Sequence, residues 1–218
     1  MTEIPELLLI DKPSGITSMD VIRRLRRKLD IRKIGHAGTL DPLATGLMLV
    51  GVGAGTKKLT ELIKLDKEYI AEVRIGESRT TGDLEGDVID SKDASSLTEA
   101  EVNECLDTMT GTLRLPVSAY SAIKVGGVPM YKRARKAEKT GDTVHEVPVR
   151  DMGVKEVELL DFVAGERAVA TVRFYVGSGT YIRSLGEELG SRLGYPATLQ
   201  NLRRTKVGEF DIKDAETL

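Results

Sequence analysis

The residues best able to do chemistry lie in one run, Gly35-His-Ala-Gly-Thr-Leu-Asp-Pro-Leu-Ala-Thr-Gly-Leu47. Glycines at 35, 38 and 46 permit close backbone approach and left-handed turns that a Cβ would resist. Pro42 restrains Asp41 towards extended geometry, so its carboxylate is presented from a defined loop. Leu40, Leu43 and Leu47 can surround that carboxylate with apolar surface. One carboxylate held among apolar side chains on rigid backbone is how a nucleophilic acid is prepared. On residue types alone, however, an Asp before Pro in a glycine-rich loop is more often a turn residue. Spacing by itself yields no nucleophile.

The elements that must position this loop can be read from local patterns. Leu7 to Ile10 forms a short buried strand. Thr17-Ser-Met-Asp20 is a capping-box pattern opening a helix whose buried stripe is Val21, Ile22, Leu25 and Leu29, with its arginines outward. Leu47 to Val52 is a strand, and Lys67 to Ile75 alternates so that Tyr69, Ala71, Val73 and Ile75 share one face. Thr98-x-x-Glu101 caps a helix carrying Val102, Cys105, Leu106 and Met109, with Gly111 as its stop. Val169 to Val176 is a further strand. It leads through Gly177-Ser-Gly179 into a helix with Ile182, Leu185, Leu189 and Leu193, ended by Gly194. Strands and helices mix without strict βαβ alternation, which predicts an α+β fold with a largely antiparallel sheet. No Pro- or Ser-rich linker divides the chain, so a single domain is expected over 1–218. The segment from about Val125 to Val149 has weak core patterning and a basic helical stretch around Tyr131 to Lys139. It reads either as an insertion projecting from the sheet or as an ordinary long surface loop.

Composition narrows the function classes. The N-terminal apolar run, Leu7 to Ile10, is too short for a signal sequence or a membrane span and follows acidic rather than basic residues. A lone cysteine, Cys105, excludes an internal disulfide and fits a reducing cytoplasm. With that one Cys and two histidines (His36 and His145), a metal site on soft ligands is not expected. The net charge is −2, but it is unevenly placed. Seven basic residues against one acid lie between Arg23 and Lys33, with more at Lys132 to Lys139 and at Arg203, Arg204 and Lys206. Nine acids against one lysine lie between Asp83 and Asp107. Such polarity suits phosphate contact on one side, although charge runs are also ordinary solvated helix faces.

The run GHAGTLDPLATGLM resembles the signature of the bacterial tRNA pseudouridine synthase B family, which modifies the uridine at position 55 in the T-loop of tRNA. Asp11-Lys-Pro-Ser-Gly-Ile-Thr-Ser18, Lys67-Glu-Tyr69, Tyr120-Ser-Ala-Ile-Lys-Val125, Gly179-Thr-Tyr-Ile-Arg-Ser-Leu185 and Leu202-Arg-Arg-Thr-Lys-Val-Gly208 are similar to its other motifs, in the family's order. The resemblance covers nearly the whole chain. It implies the pseudouridine synthase fold, a mixed, mostly antiparallel sheet flanked by helices. It also implies an isomerase that breaks the N1–C1′ bond, turns the base and joins C5 to C1′, with no cofactor and no metal.

By the same resemblance Asp41 is the essential catalytic group, attacking the sugar or base or removing a C2′ proton. Tyr69 stacks on the target base and assists proton removal at C5, and Arg183 pairs with Asp41. Tyr181 and Leu202 line the uracil pocket, and His36 fills the space left by the flipped base. Lys12, with Pro13, supports the active-site loop and is a weaker candidate for RNA contact. The segment at about 125–149 corresponds to an RNA-gripping insertion. The implied partner is the T-arm stem–loop of tRNA, with no membrane and no obligate protein partner, and the expected state is a cytoplasmic monomer. Read without the resemblance, Tyr69 is also a half-buried strand tyrosine, Arg183 a helix-surface arginine and His36 a loop residue.

Two features depart from the family pattern. The chain ends at Leu218, where relatives continue into a C-terminal RNA-binding domain, often of the PUA type, so weaker tRNA affinity is expected. Leu115-Pro-Val-Ser-Ala-Tyr120 stands where paired prolines are typical, which alters the local loop. The alternative functions are a non-catalytic RNA-binding or RNA-folding protein on the same scaffold and a guide-RNA-dependent synthase.

Overall fold

The computed structural model describes residues 4–121, 123–140 and 147–218, apart from the side chains of Arg135 and Glu138. His145, Ala122 and the Gly141-Asp142 part of the expected insertion lie outside the described residues.

Strand β1 (Leu7–Lys12) leads into helix α1 (Ser18–Leu29) through the expected capping box. The Asp20 N–H donates to Thr17 Oγ1 at 3.1 Å, and the Thr17 N–H donates back to the Asp20 carboxylate at 3.0 Å. Val21, Ile22 and Leu25 are buried and Leu29 half-buried, while Arg23, Arg24, Arg26 and Arg27 point to solvent. Strands β2 (Ile34–His36) and β3 (Thr45–Val52) follow, with the loop bearing Asp41 between them. A short helix α2 (Leu59–Leu62) precedes β4 (Lys67–Ile75), in which every second residue from Lys67 is buried. Strands β5 (Glu77–Arg79) and β6 (Val88–Ser91) form a small ribbon. Helix α3 (Glu99–Asp107) has its own Thr98–Glu101 capping box. It ends at Asp107, and Gly111 instead opens strand β7 (Gly111–Pro116) at φ 95°.

The segment expected to project from the sheet is a two-stranded hairpin, β8 (Lys124–Val125) and β9 (Val128–Pro129), followed by helix α4 (Met130–Thr140). Met130 and Ala134 are buried, and Lys132, Arg133, Lys136 and Lys139 are exposed. The chain returns through β10 (Val149–Val163), β11 (Ala168–Val176), helix α5 (Ile182–Leu193), β12 (Ala197–Val207), β13 (Phe210–Asp211) and β14 (Glu216–Thr217).

The main sheet runs β14-β1-β3-β12-β4-β11-β10-β7, with β2 and β13 paired at its side. Only β1–β14 and β3–β12 are parallel among its pairs, so the sheet is mixed and mostly antiparallel, as the sequence led us to expect. One core joins the inward residues of the sheet (Ala71, Val73, Val172, Phe174) to α1, α3 and α5. The β3–β12 contact depends on a glycine. Gly46 sits opposite Arg204 at φ 108°, and a Cβ there would lie 2.2 Å from the Arg204 carbonyl oxygen.

Candidate active site

The connection between β1 and α1 clamps the Asp41 loop from both sides. Ser18 Oγ donates to the Leu40 carbonyl at 3.0 Å and accepts from the Leu40 N–H at 2.9 Å. The Gly15 N–H donates to the Pro42 carbonyl at 2.9 Å, and Ser14 Oγ donates to that of Leu43 at 3.0 Å. Lys12 Nζ donates to the carbonyls of Pro13 and Pro42 at 2.9 and 3.2 Å. Backbone bonds on each side of one residue fix its side-chain direction without using that side chain, which stays available for chemistry.

Asp41 emerges from this clamp to meet Arg183, near the start of α5, with Oδ2 and Nη2 3.1 Å apart. The Arg183 side chain is 5% exposed and that of Asp41 35%, so a buried cation holds a carboxylate at the edge of the cleft. Arg183 is fixed by three further groups. Nη1 donates to the Thr81 carbonyl and to Ser118 Oγ, both at 2.8 Å, and Nη2 to the Tyr120 carbonyl at 3.4 Å. Asp83, also buried, lies 3.7 Å from Nη1. Ser118 falls in the stretch where paired prolines were expected, and it sets its hydroxyl against the Arg183 guanidinium.

Burial pushes the Asp41 carboxyl above its usual range. Arg183 opposes that shift, and the Asp83 charge adds to it. Burial likewise raises the Tyr181 phenol. The Asp41–Arg183 pair opens into a cleft of about 380 Å³ whose lining includes Tyr69, Tyr181, Leu202 and Ser121. Tyr69 is brought there by β4, between Arg204 of β12 and Phe174 of β11. Leu202 arrives on β12, and Tyr181 is the N-cap residue of α5. Five of the seven residues singled out from sequence therefore meet in one concave site.

The other two stand outside its lining. Lys12 is fully buried, and its ammonium is occupied by the two loop carbonyls, so it braces the Asp41 loop and does not reach the cleft. His36, half-buried at the end of β2, has a buried Nδ1 with no partner, and burial lowers its pKa. The cleft also has two buried cations, Lys67 and Arg204, which the sequence placed only within a motif and a basic stretch. Arg204, 1% exposed, donates to the Leu47 carbonyl at 2.7 Å. Lys67 donates to the carbonyls of Ile63 and Leu65 at 3.0 and 2.6 Å, and burial, reinforced by Arg204, lowers its pKa to about 8. No cluster of His, Cys, Asp and Glu suited to a metal occurs among the described residues.

A carboxylate steered by an arginine, beside a buried tyrosine and apolar walls, can receive a planar base while facing its sugar. The sequence profile described as TruB family pseudouridylate synthase (N terminal domain) matches residues 26–182. The chain belongs to the TruB family. Among its relatives, a protein of Corynebacterium efficiens named tRNA pseudouridine synthase B is 43% identical over 96% of this chain and 69% of its own length. One of the same name from Leifsonia xyli subsp. xyli is 42% identical over 97% of this chain and 70% of its own. Among solved structures, a chain from a Cbf5-Nop10-Gar1 complex superposes on this TruB member with a TM-score of 0.71 at 25% identity. The alignment takes in 97% of this chain and 52% of that one, so the TruB member spans about half the length of its structural counterpart. The fold is that of the pseudouridine synthases.

Proposed function

We propose that this TruB member converts uridine to pseudouridine in tRNA, acting on the T-arm stem–loop, with Asp41 as the reacting carboxylate. What carries this reading is the 3.1 Å pair between Asp41 and the buried Arg183, set in one cleft with Tyr69, Tyr181 and Leu202. The target base leaves its loop, where extrusion costs less than from a duplex, and enters the cleft. Tyr69 covers its face, and Tyr181 and Leu202 bound it. The Asp41 carboxylate then attacks the sugar or base or takes the C2′ proton, as carboxylates do in related glycosidic chemistry. The freed uracil turns and bonds through C5, and the C5 proton leaves with help from Tyr69. Arg183 keeps the carboxylate oriented and opposes the pull of burial towards its neutral form.

His36 fills the space left in the RNA loop, and Lys12 keeps the catalytic loop in place from beneath. The exposed arginines of α1 and the lysines of α4 meet phosphates, with α4 and its hairpin gripping the RNA. The chain works as a cytoplasmic monomer without a protein partner, in one catalytic domain. The test is tritium release from T-arm transcripts labelled at uridine C5, using the purified chain with no guide RNA. Release that disappears when the target uridine is replaced by cytidine is expected. No release with any tRNA transcript would overturn the proposal, and release only on adding a guide RNA would move the chain to the guide-dependent class.

A further inference from the structure

Among the described residues, three buried side-chain polar atoms have no hydrogen-bond partner: His36 Nδ1, Ser121 Oγ and Thr198 Oγ1. Of their residues, only Ser121 lines the cleft. A buried polar group without a partner is unfavourable unless something else meets it, so such a group on a substrate cleft points to the substrate. Several other polar groups of the lining are already engaged. Ser178 Oγ donates to the Ile63 carbonyl at 2.7 Å, Lys67 to two carbonyls of that same loop, and Arg204 to the Leu47 carbonyl. Ser121 is 3% exposed. The Tyr181 hydroxyl is near enough to feel it, yet the two do not meet in hydrogen-bond geometry.

The backbone holds this hydroxyl in position. The Ser121 N–H donates to the Ser118 carbonyl at 3.1 Å, and its own carbonyl accepts from the Tyr131 N–H at 3.0 Å. The neighbouring Tyr120 carbonyl accepts from Arg183, which ties the segment to the guanidinium that holds Asp41. Ser121 is therefore fixed between the catalytic pair and the first turn of α4.

We propose that Ser121 Oγ donates a hydrogen bond to a carbonyl oxygen of the pyrimidine in the cleft, an assignment that rests on the function proposed above. Uracil is nearly symmetric about the axis through N3 and C6. A half-turn about that axis exchanges N1 with C5 and O2 with O4, so one fixed donor meets a carbonyl both before and after the base turns. The hydroxyl moves no proton. It fixes the plane and edge of the base while the glycosidic bond is remade.

The experiment uses a T-arm stem–loop transcript, single-turnover conversion, filter binding and thermal unfolding. Ser121→Ala is expected to slow conversion about three- to tenfold, the usual worth of one neutral hydrogen bond. Stem–loop affinity should stay within about twofold, because phosphate contacts dominate it, and the unfolding midpoint should be unchanged or raised. A 4-thiouridine or 2-thiouridine at the target, whose sulfur accepts poorly, should slow the wild type and slow Ser121→Ala no further. Ser121→Cys, close in volume and a weak donor, gives the same reading if the alanine variant folds poorly. Conversion by Ser121→Ala at the wild-type rate, or thio penalties that add fully to that of the variant, would overturn the contact alone. No conversion by the wild type would overturn the function on which the contact rests.

Discussion

Replacing Arg183 with methionine removes the cation paired with Asp41, and the direction of the resulting change in pH dependence can be worked from the geometry. At the 3.1 Å contact the charge centres lie about 4 Å apart, which gives roughly 4 kcal/mol of attraction at an effective dielectric of about 20 and about 1 kcal/mol in water. The Asp41 side chain keeps 35% exposure, so screening places the attraction between these limits. The sign follows from the direction of the perturbation. Burial already raises the Asp41 carboxyl and Arg183 pulls it down, so losing Arg183 raises it further. In the proposed reaction the ionised form is the active one, so conversion falls as pH drops through that value. The acid limb of the single-turnover pH profile should therefore move to higher pH in Arg183→Met and stay nearly in place in Arg183→Lys. Methionine also leaves buried Asp83 uncompensated, which can cost about 3–5 kcal/mol of stability. Adding Asp83→Asn relieves that penalty without restoring the cation at Asp41. An acid limb at the wild-type pH in both Arg183→Met and the double variant would refute the electrostatic role given to Arg183.

Gly46→Ala should destabilise the protein by about 3 kcal/mol or more in urea titrations, because its Cβ would meet the Arg204 backbone and its φ is 108°; loss under 1 kcal/mol would contradict the close β3–β12 approach. Lys67, lowered to about 8 when folded, sheds its proton before the unfolded lysine does, so the native state gains stability as pH rises from about 8 towards 10.5. That gain, up to about 3 kcal/mol, should be missing in Lys67→Met, and parallel stability–pH curves for the two proteins would disprove it. Arg24→Glu with Arg27→Glu should weaken stem–loop binding and reduce the salt slope by about 1–2. An unchanged slope would remove α1 from the RNA face.

Much of the scaffold was legible because its signals are local. The capping boxes at Thr17 and Thr98, the alternation of Lys67–Ile75 and Val169–Val176, and the apolar stripe from Ile182 each report their own element. Strand β12 was not legible as a strand. Two register shifts, at Leu199/Asn201 and Arg204/Lys206, break its period of two, and its fully buried Arg204 contradicts the usual inside–outside pattern. Asp83 was hidden in an acidic stretch that resembles a solvated face, yet it is buried beside Arg183 across nearly half the chain. Ser118, Ser121 and Lys67 stood inside quoted segments without a role of their own, since their meaning depends on carbonyls and a guanidinium brought in from distant segments. The family resemblance named Lys12 as a support of the active-site loop and a weaker candidate for RNA contact, and its burial and its carbonyl partners were visible only in three dimensions.

The most direct test is tritium release and stem–loop binding by Asp41→Asn beside the wild type. The variant keeps the Arg183–Asp83 pair and the backbone clamp around residue 41, so folding and RNA affinity should be preserved while release falls to background. Turnover by a folded Asp41→Asn protein at more than a small fraction of the wild-type rate would contradict the assignment of Asp41 as the reacting group.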